Sequence, residues 1–192
     1  MDIGSNGGVQ KSKEKEWETT RATGTGRLEL VLRVLALILT LAAAILLGLD
    51  KQTKMVPIKV FSNLPAFDVP VMAKFSHVSA FVYSVVANSI ASVFAAVSLA
   101  LTLGSGKGGS RLMMILVADL IMVALLFSSI GGTSAVGVIG IKGNSHLQWN
   151  KVCNVYDRFC HQVAASVVLS LLGAIIFLLL VILTASKIQK RA

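Results

Sequence analysis

Residues 28–49 read LELVLRVLALILTLAAAILLGL, and residues 112–130 read LMMILVADLIMVALLFSSI. Each stretch reaches the roughly 18 residues of apolar character that suggest a membrane-spanning helix. Each also holds one charge of opposite sign in its interior, Arg33 in the former and Asp119 in the latter. A charge within a span costs roughly 2.5 to 3.5 kcal/mol on insertion scales, so it persists where a partner or a function compensates it. The two stretches therefore predict an integral membrane protein whose first and third helices meet face to face.

Two further stretches, 78–103 and 163–184, have the same character. With 55% hydrophobic residues and a mean hydropathy of +0.78, the chain lies outside ordinary globular composition. The expected fold is an all-α four-transmembrane-helix bundle over residues 28–185. A polar stretch, residues 1–27, precedes the first span with no small-residue cleavage site, so a cleaved signal peptide is not expected. Its Gly, Ser, Thr, Lys and Glu read as a disordered cytoplasmic tail, with Trp17 as its one aromatic residue. Residues 186–192 form a short basic cytoplasmic tail.

The formal net charge of +9 is scattered over every loop, which argues against a nucleic-acid partner. An even number of spans puts both termini on one side. That side, with the loop 104–111, holds Lys11, Lys13, Lys15, Arg21, Arg27, Lys107, Arg111, Lys187, Lys190 and Arg191. The other holds Lys51, Lys54, Lys59, Lys74, Lys142, Lys151 and Arg158. Ten basic residues against seven is a weak bias that places both termini in the cytoplasm. Both cysteines then lie outside, where conditions are oxidising.

In helix one, Ala36, Thr40, Ala44 and Gly48 recur every four residues, the spacing that lets another helix approach closely in lipid. At about 100° per residue Arg33 falls on the same face, and Glu29 lies one turn before it. Measured from Arg27 and Arg111, Arg33 and Asp119 lie roughly 9 and 12 Å inward, matching depths in helices that run the same way. A structural ion pair is the favoured reading. Snorkelling of Arg33 beside a protonated Asp119, and a transport or proton-relay role, stay open. Helix two carries Ser84, Asn88, Ser89, Ser92, Ala95 and Ala96, groups that commonly bond between helices. Helix three ends in the small residues of 131–135, and helix four, leucine-rich except at Ser170 and Gly173, suits a lipid- or oligomer-facing surface.

The exterior loops span about 50–77 and 140–162. The first holds Pro57, Pro65 and Pro70 and should be extended and non-helical. The second holds Gly143, Asn144, His146, Trp149, Cys153, Phe159, Cys160 and His161. On one straight helix Cys153 and Cys160 would lie roughly 10.5 Å apart, beyond the about 7 Å a disulfide tolerates, so bridging them requires a break between. An exterior cysteine pair favours a disulfide. A metal site from both cysteines with His146 and His161 stays open, though the spacing fits no standard zinc pattern. The loops hold no N-glycosylation acceptor, and no motif for catalysis or for a cofactor is present.

The run Lys142-Gly143-Asn144-Ser145-His146, Trp149, Lys151-Val152-Cys153 and Phe159-Cys160 resembles the plant Casparian strip membrane domain protein-like (CASP-like) family. Arg33 and Asp119 fit the charged pair this family shares with MARVEL-type four-span proteins, and Arg33-Val34-Leu35-Ala36 and Lys51-Gln52-Thr53-Lys54 are similar too. The resemblance implies a multi-pass plasma-membrane scaffold, not an enzyme. It further implies homo- and hetero-oligomers with related four-span proteins in contact with membrane lipid, and recruitment of apoplastic wall enzymes. The founding members carry an acidic-Leu-Pro-aromatic signature in the first exterior loop. Here it reads Ser62-Asn63-Leu64-Pro65-Ala66-Phe67, without the acidic residue, so the chain reads as a CASP-like relative. The competing class is a small transporter or channel gated by Arg33 and Asp119. Further ionisable residues inside spans two and four would favour that class, and those interiors have none.

Overall fold

A computed structural model of the chain describes residues 6–49, 51–58, 67–74, 78–104, 109–143, 153 and 157–190. In order, they form α1 (Asn6–Gly48), β1 (Lys51–Ile58), β2 (Phe67–Lys74), α2 (Ser79–Leu103), α3 (Gly109–Lys142) and α4 (Asp157–Gln189). Four segments within these helices are long and apolar enough to cross a membrane, Gly26–Gly48, Ser79–Leu103, Ser110–Lys142 and Asp157–Gln189. The four-helix bundle follows from them.

Leucines cannot drive helices together in lipid, because the acyl chains are as apolar as they are. What each helix turns inward is accordingly small or polar. The buried positions are Arg33, Ala36, Thr40, Ala43 and Leu47 on α1; Phe81, Ser84, Asn88, Ala91, Ala95 and Ser98 on α2. On α3 they are Ile115, Asp119, Leu126, Ser129 and Thr133, and on α4 Val163, Ser166, Ser170, Gly173, Phe177, Leu180 and Thr184. Steps of three and four alternate along every helix, the seam spacing of a left-handed supercoil. Large apolar side chains such as Ile38, Val93, Leu120 and Ile182 cover the outside.

The helices pack as a ring. α1 lies against α2 and α4, and α3 against the same two. α1 and α3 are thus diagonal partners, and the expectation that they meet face to face is corrected. The small stripe of α1 is used instead by its ring neighbours. At Gly173 an added Cβ would stand 2.9 Å from the Thr40 methyl, and at Gly48 it would stand 3.7 Å from Val85. Helix four is likewise no mere lipid face, since its inner row is buried as deeply as that of any other helix.

The interior has two apolar layers. Near the basal end, where α4 finishes, Ala36, Ala91, Ala95, Val123, Leu126, Ala174, Phe177 and Leu180 form one cluster. At the opposite, apical end Leu47, Phe81, Phe159 and Val163 form the other, with the Phe81 and Phe159 rings 5.9 Å apart.

Three helices outrun the stretches read as spans. α1 begins at Asn6, inside the segment read as a disordered tail, where Gln10, Lys11, Lys13, Glu14, Lys15 and Glu16 are good helix formers. α3 continues without a break through residues 131–135 to Lys142, so the small residues do not end it. α4 starts at Asp157, ahead of the apolar run. At 1.5 Å per residue the 34 residues of α3 extend about 51 Å, well beyond a hydrocarbon core of about 30 Å. Its last turns therefore stand clear of the membrane.

Gly143 closes α3. Its φ of 71° lies in the left-handed region, and its N–H bonds the Ile139 carbonyl at 2.8 Å. The segment between α1 and α2, expected to be extended, adds an antiparallel hairpin to the all-α bundle, in the register Met55↔Pro70 and Pro57↔Asp68. Those two pairs are two positions apart, so both fall in the same class of the ladder. Proline has no N–H to give, which suits the non-hydrogen-bonded class and leaves the missing donors on the hairpin's outer edges. Outer edges without those donors make poor templates for another strand.

Candidate functional site: a polar node joining four helices

Arg33 is fully buried, and its guanidinium is met from three helices. Nη2 donates to Asp119 Oδ2 at 3.3 Å, and Nη1 donates to Asp119 Oδ1 at 3.5 Å. Nη1 also donates to Ser98 Oγ at 2.9 Å, and Ser98 passes its own proton to the Ala95 carbonyl at 3.0 Å. On α1 itself, Nη2 donates to Glu29 Oε1 at 3.2 Å, the one-turn pair that sequence spacing suggested. Glu29 is held in turn by Lys187 of α4, which bonds its other oxygen, Oε2.

The node thus draws side chains from all four helices. A guanidinium suits such a centre, since it presents five donors in a fixed plane and stays charged. Arg33 Nε has no partner in this arrangement. The two-sided approach of the Asp119 carboxylate to both terminal nitrogens supplies the fork geometry that a lysine would lack.

A second tie crosses the other diagonal deeper in the bundle. Ser170 Oγ of α4 donates to Asn88 Oδ1 of α2 at 3.0 Å, and Asn88 Nδ2 donates to the Ser84 carbonyl at 2.9 Å. Ser166 Oγ of α4 bonds the Ala43 carbonyl of α1 at 2.9 Å. Thr40 Oγ1 turns back to the Ala36 carbonyl at 2.8 Å, which fixes its methyl toward Gly173. Of the α1 stripe, Ala36, Thr40 and Ala44 are buried and Gly48 is half-buried.

At the apical end a disulfide joins Cys153 to Cys160, with Cα atoms 5.7 Å apart. The break this needs lies just before Asp157, because only Cys160 is on α4. Both sulfurs are therefore engaged with each other, which removes them from the alternative metal site. The Cys153 sulfur sits 3.6 Å from where a Cβ of Gly140 would stand, so the disulfide rests on the last turns of α3. Phe159 is buried against Phe81, while His161 reaches Asp157 at 3.4 Å in the open. Asn144, His146, Trp149, Pro65 and the Ser62–Ala66 part of the first-loop signature lie outside the described residues.

Sequence reasoning brought Arg33, Glu29 and Asp119 together and missed Ser98 and Lys187. Ser98 continues the buried 81, 84, 88, 91, 95 row of α2, which is the signal that would have found it. Lys187 had only its place in the last turn of α4, at the level where Glu29 begins α1's apolar stretch.

Fold and node together define a multi-pass, four-span membrane protein whose ionisable groups inside the bundle are paired with one another. Comparison with known proteins gives the family. Residues 22–176 match the Casparian strip membrane protein domain, and the chain belongs to that family of CASP-like membrane proteins. It is 52% identical over 184 residues to CASP-like protein 1E1 of Populus trichocarpa, covering 96% of this chain and 94% of that relative. To CASP-like protein 1E2 of Vitis vinifera it is 50% identical over 185 residues, 96% of this chain and 95% of the other. CASP-like protein 1E2 of Arabidopsis thaliana is 50% identical over 162 residues, 83% and 85% of the two chains. No solved structure matches.

Proposed function

We propose that this protein is a non-enzymatic scaffold of the plant plasma membrane, with both termini in the cytoplasm. It assembles laterally with its own copies and with related four-span proteins. Its hairpin and disulfide-bound loop face the apoplast, where they are available to wall-modifying proteins.

The observation that carries this reading is the contrast between inside and outside. Inside, Arg33, Asp119, Glu29 and Asn88 have their hydrogen bonds within the bundle, which suits a fixed body more than a moving gate. A gate built on Arg33 and Asp119 would have to part a guanidinium from Ser98 and Glu29 as well, at the cost of leaving charge unpaired in lipid. Outside, α3 exposes Ala124, Ser128, Gly131, Gly132 and Ala135 along one face, and an added Cβ at either glycine meets nothing within 4 Å. Small residues on a lipid-facing surface allow another helix to approach closely. Family membership points the same way.

Fluorescence recovery after photobleaching of a tagged copy in plant plasma membrane tests the proposal. Slow recovery within stable patches is expected. Fast, uniform recovery would overturn it and turn attention to ion flux.

A further inference from the structure

Four charged side chains meet at the basal end, Glu29 and Arg33 of α1, Asp119 of α3 and Lys187 of α4. Arg33 and Asp119 have fully buried side chains, Glu29 is nearly so, and Lys187 is 26% exposed, on the rim. Arg33 faces two carboxylates at once, Glu29 Oε1 at 3.2 Å and Asp119 Oδ2 at 3.3 Å. One guanidinium between two carboxylates leaves an excess negative formal charge. Lys187 cancels it by bonding the Glu29 oxygen that Arg33 does not use.

We propose that Glu29 and Lys187 are positioning residues of the Arg33–Asp119 pair, and that the bundle depends on the neutrality of the four together. Lys187 reaches Arg33 only through Glu29, and Asp119 reaches Lys187 only through Arg33 and Glu29. Yet in a medium that solvates charge poorly, the net charge of the group sets its cost. Lys187 also fixes the last turns of α4 to the start of the α1 span, closing the ring at the end where the helices emerge. Without it, Glu29 would turn away from Arg33 to find water.

Electroneutrality makes a suppression pattern that contact alone does not. Asp119→Asn leaves the node at +1. Adding Lys187→Met, on a residue that does not touch Asp119, returns it to zero. Adding Glu29→Gln instead raises it to +2. Likewise Lys187→Met alone leaves −1, and Lys187→Met with Glu29→Gln gives zero.

The experiment is thermal stability and yield of monodisperse, tagged full-length protein in mild detergent, measured for the singles and doubles. Each single should lower the midpoint by on the order of 10 °C, as for a broken buried pair in a chain of this size. Asp119→Asn with Lys187→Met should recover at least half of that loss, and Asp119→Asn with Glu29→Gln should fall further. If Asp119→Asn alone yields no folded protein, the return of a monodisperse peak on adding Lys187→Met is the expected readout. Losses that simply add, or equal behaviour of the two Asp119→Asn doubles, would overturn the proposal.

Discussion

Replacing Gly173 by alanine should destabilise the bundle although alanine is the better helix former. The ideal Cβ would stand 2.9 Å from Thr40 Cγ2, against an ordinary carbon–carbon separation of about 3.5 to 4.0 Å. Thr40 cannot rotate its methyl away freely, because Oγ1 is bonded to the Ala36 carbonyl at 2.8 Å and the side chain is β-branched. α4 must therefore move off α1 by roughly 0.6 to 1 Å, loosening Ser166 on the Ala43 carbonyl and Ser170 on Asn88. Overpacking of this kind costs about 1 to 3 kcal/mol, and the gain in helix propensity returns about 1 kcal/mol. A net loss of about 1 kcal/mol is expected for Gly173→Ala, or about 2 to 4 °C in melting midpoint. Thr40→Ser removes the offending methyl and keeps the hydroxyl. The next atoms then lie at 3.9 Å (Leu39 Cβ) and 4.0 Å (Thr40 N), ordinary contacts. In the Thr40→Ser background Gly173→Ala should be neutral or stabilising. Melting of the four proteins in detergent, read as a double-mutant cycle, decides it. A Gly173→Ala protein as stable as wild type, or a penalty unchanged by Thr40→Ser, would refute the close-approach argument.

Other perturbations have equally definite outcomes. Asp119→Ala should impair assembly and surface delivery more than Asp119→Asn, since asparagine still accepts from Arg33; equal surface levels by biotinylation would contradict this. Ser170→Ala should cost about 0.6 kcal/mol through loss of the Asn88 tie, and should cost nothing in an Asn88→Leu background. Cys153→Ser or Cys160→Ser should lower stability by about 2 kcal/mol and speed proteolysis around residues 143–156, with maleimide labelling of the freed thiol. Gly132→Leu should leave the melting midpoint unchanged, because its Cβ site is open, while weakening self-association seen by cross-linking in membranes.

The four helices were legible because hydropathy reports burial in lipid directly, and Arg33 with Asp119 was legible because a charge in a span demands a partner. The ring order was not legible. Opposite charges say that two groups meet, and a guanidinium on a long stem can meet a carboxylate across a diagonal as readily as across an interface. Helix four was misjudged for a related reason. In water its leucines would have marked the inner face, but in lipid they mark neither side. The informative residues were the inconspicuous ones, Ser166, Ser170, Gly173 and Thr184, which keep the three-four spacing of the buried row. Lys187 and Glu29 are 158 residues apart, and no local pattern joins them. The disulfide was half legible. Spacing required a break between the cysteines, and the position of that break came from where α4 begins.

The two diagonal ties account for why one ring order is selected. Every adjacent pair of helices can pack through alanine, serine or glycine, and such contacts discriminate poorly among neighbours, since small residues recur on all four helices. A polar atom that must find its partner across the centre discriminates well. Arg33 to Asp119 joins α1 with α3 near the basal end, and Asn88 to Ser170 joins α2 with α4 deeper in the bundle. Exchange of any two neighbouring helices would turn one of these diagonals into an edge and leave the other side chains facing apolar atoms. The short Asn88–Ser170 bond also requires a narrow centre, which Ala87 and Ala91 beside it on α2 and Ala174 and Gly173 on α4 provide. Polar reach and small-residue packing thus depend on each other, and a bulky substitution at Gly173 should weaken the Asn88 tie as surely as removing its hydroxyl partner.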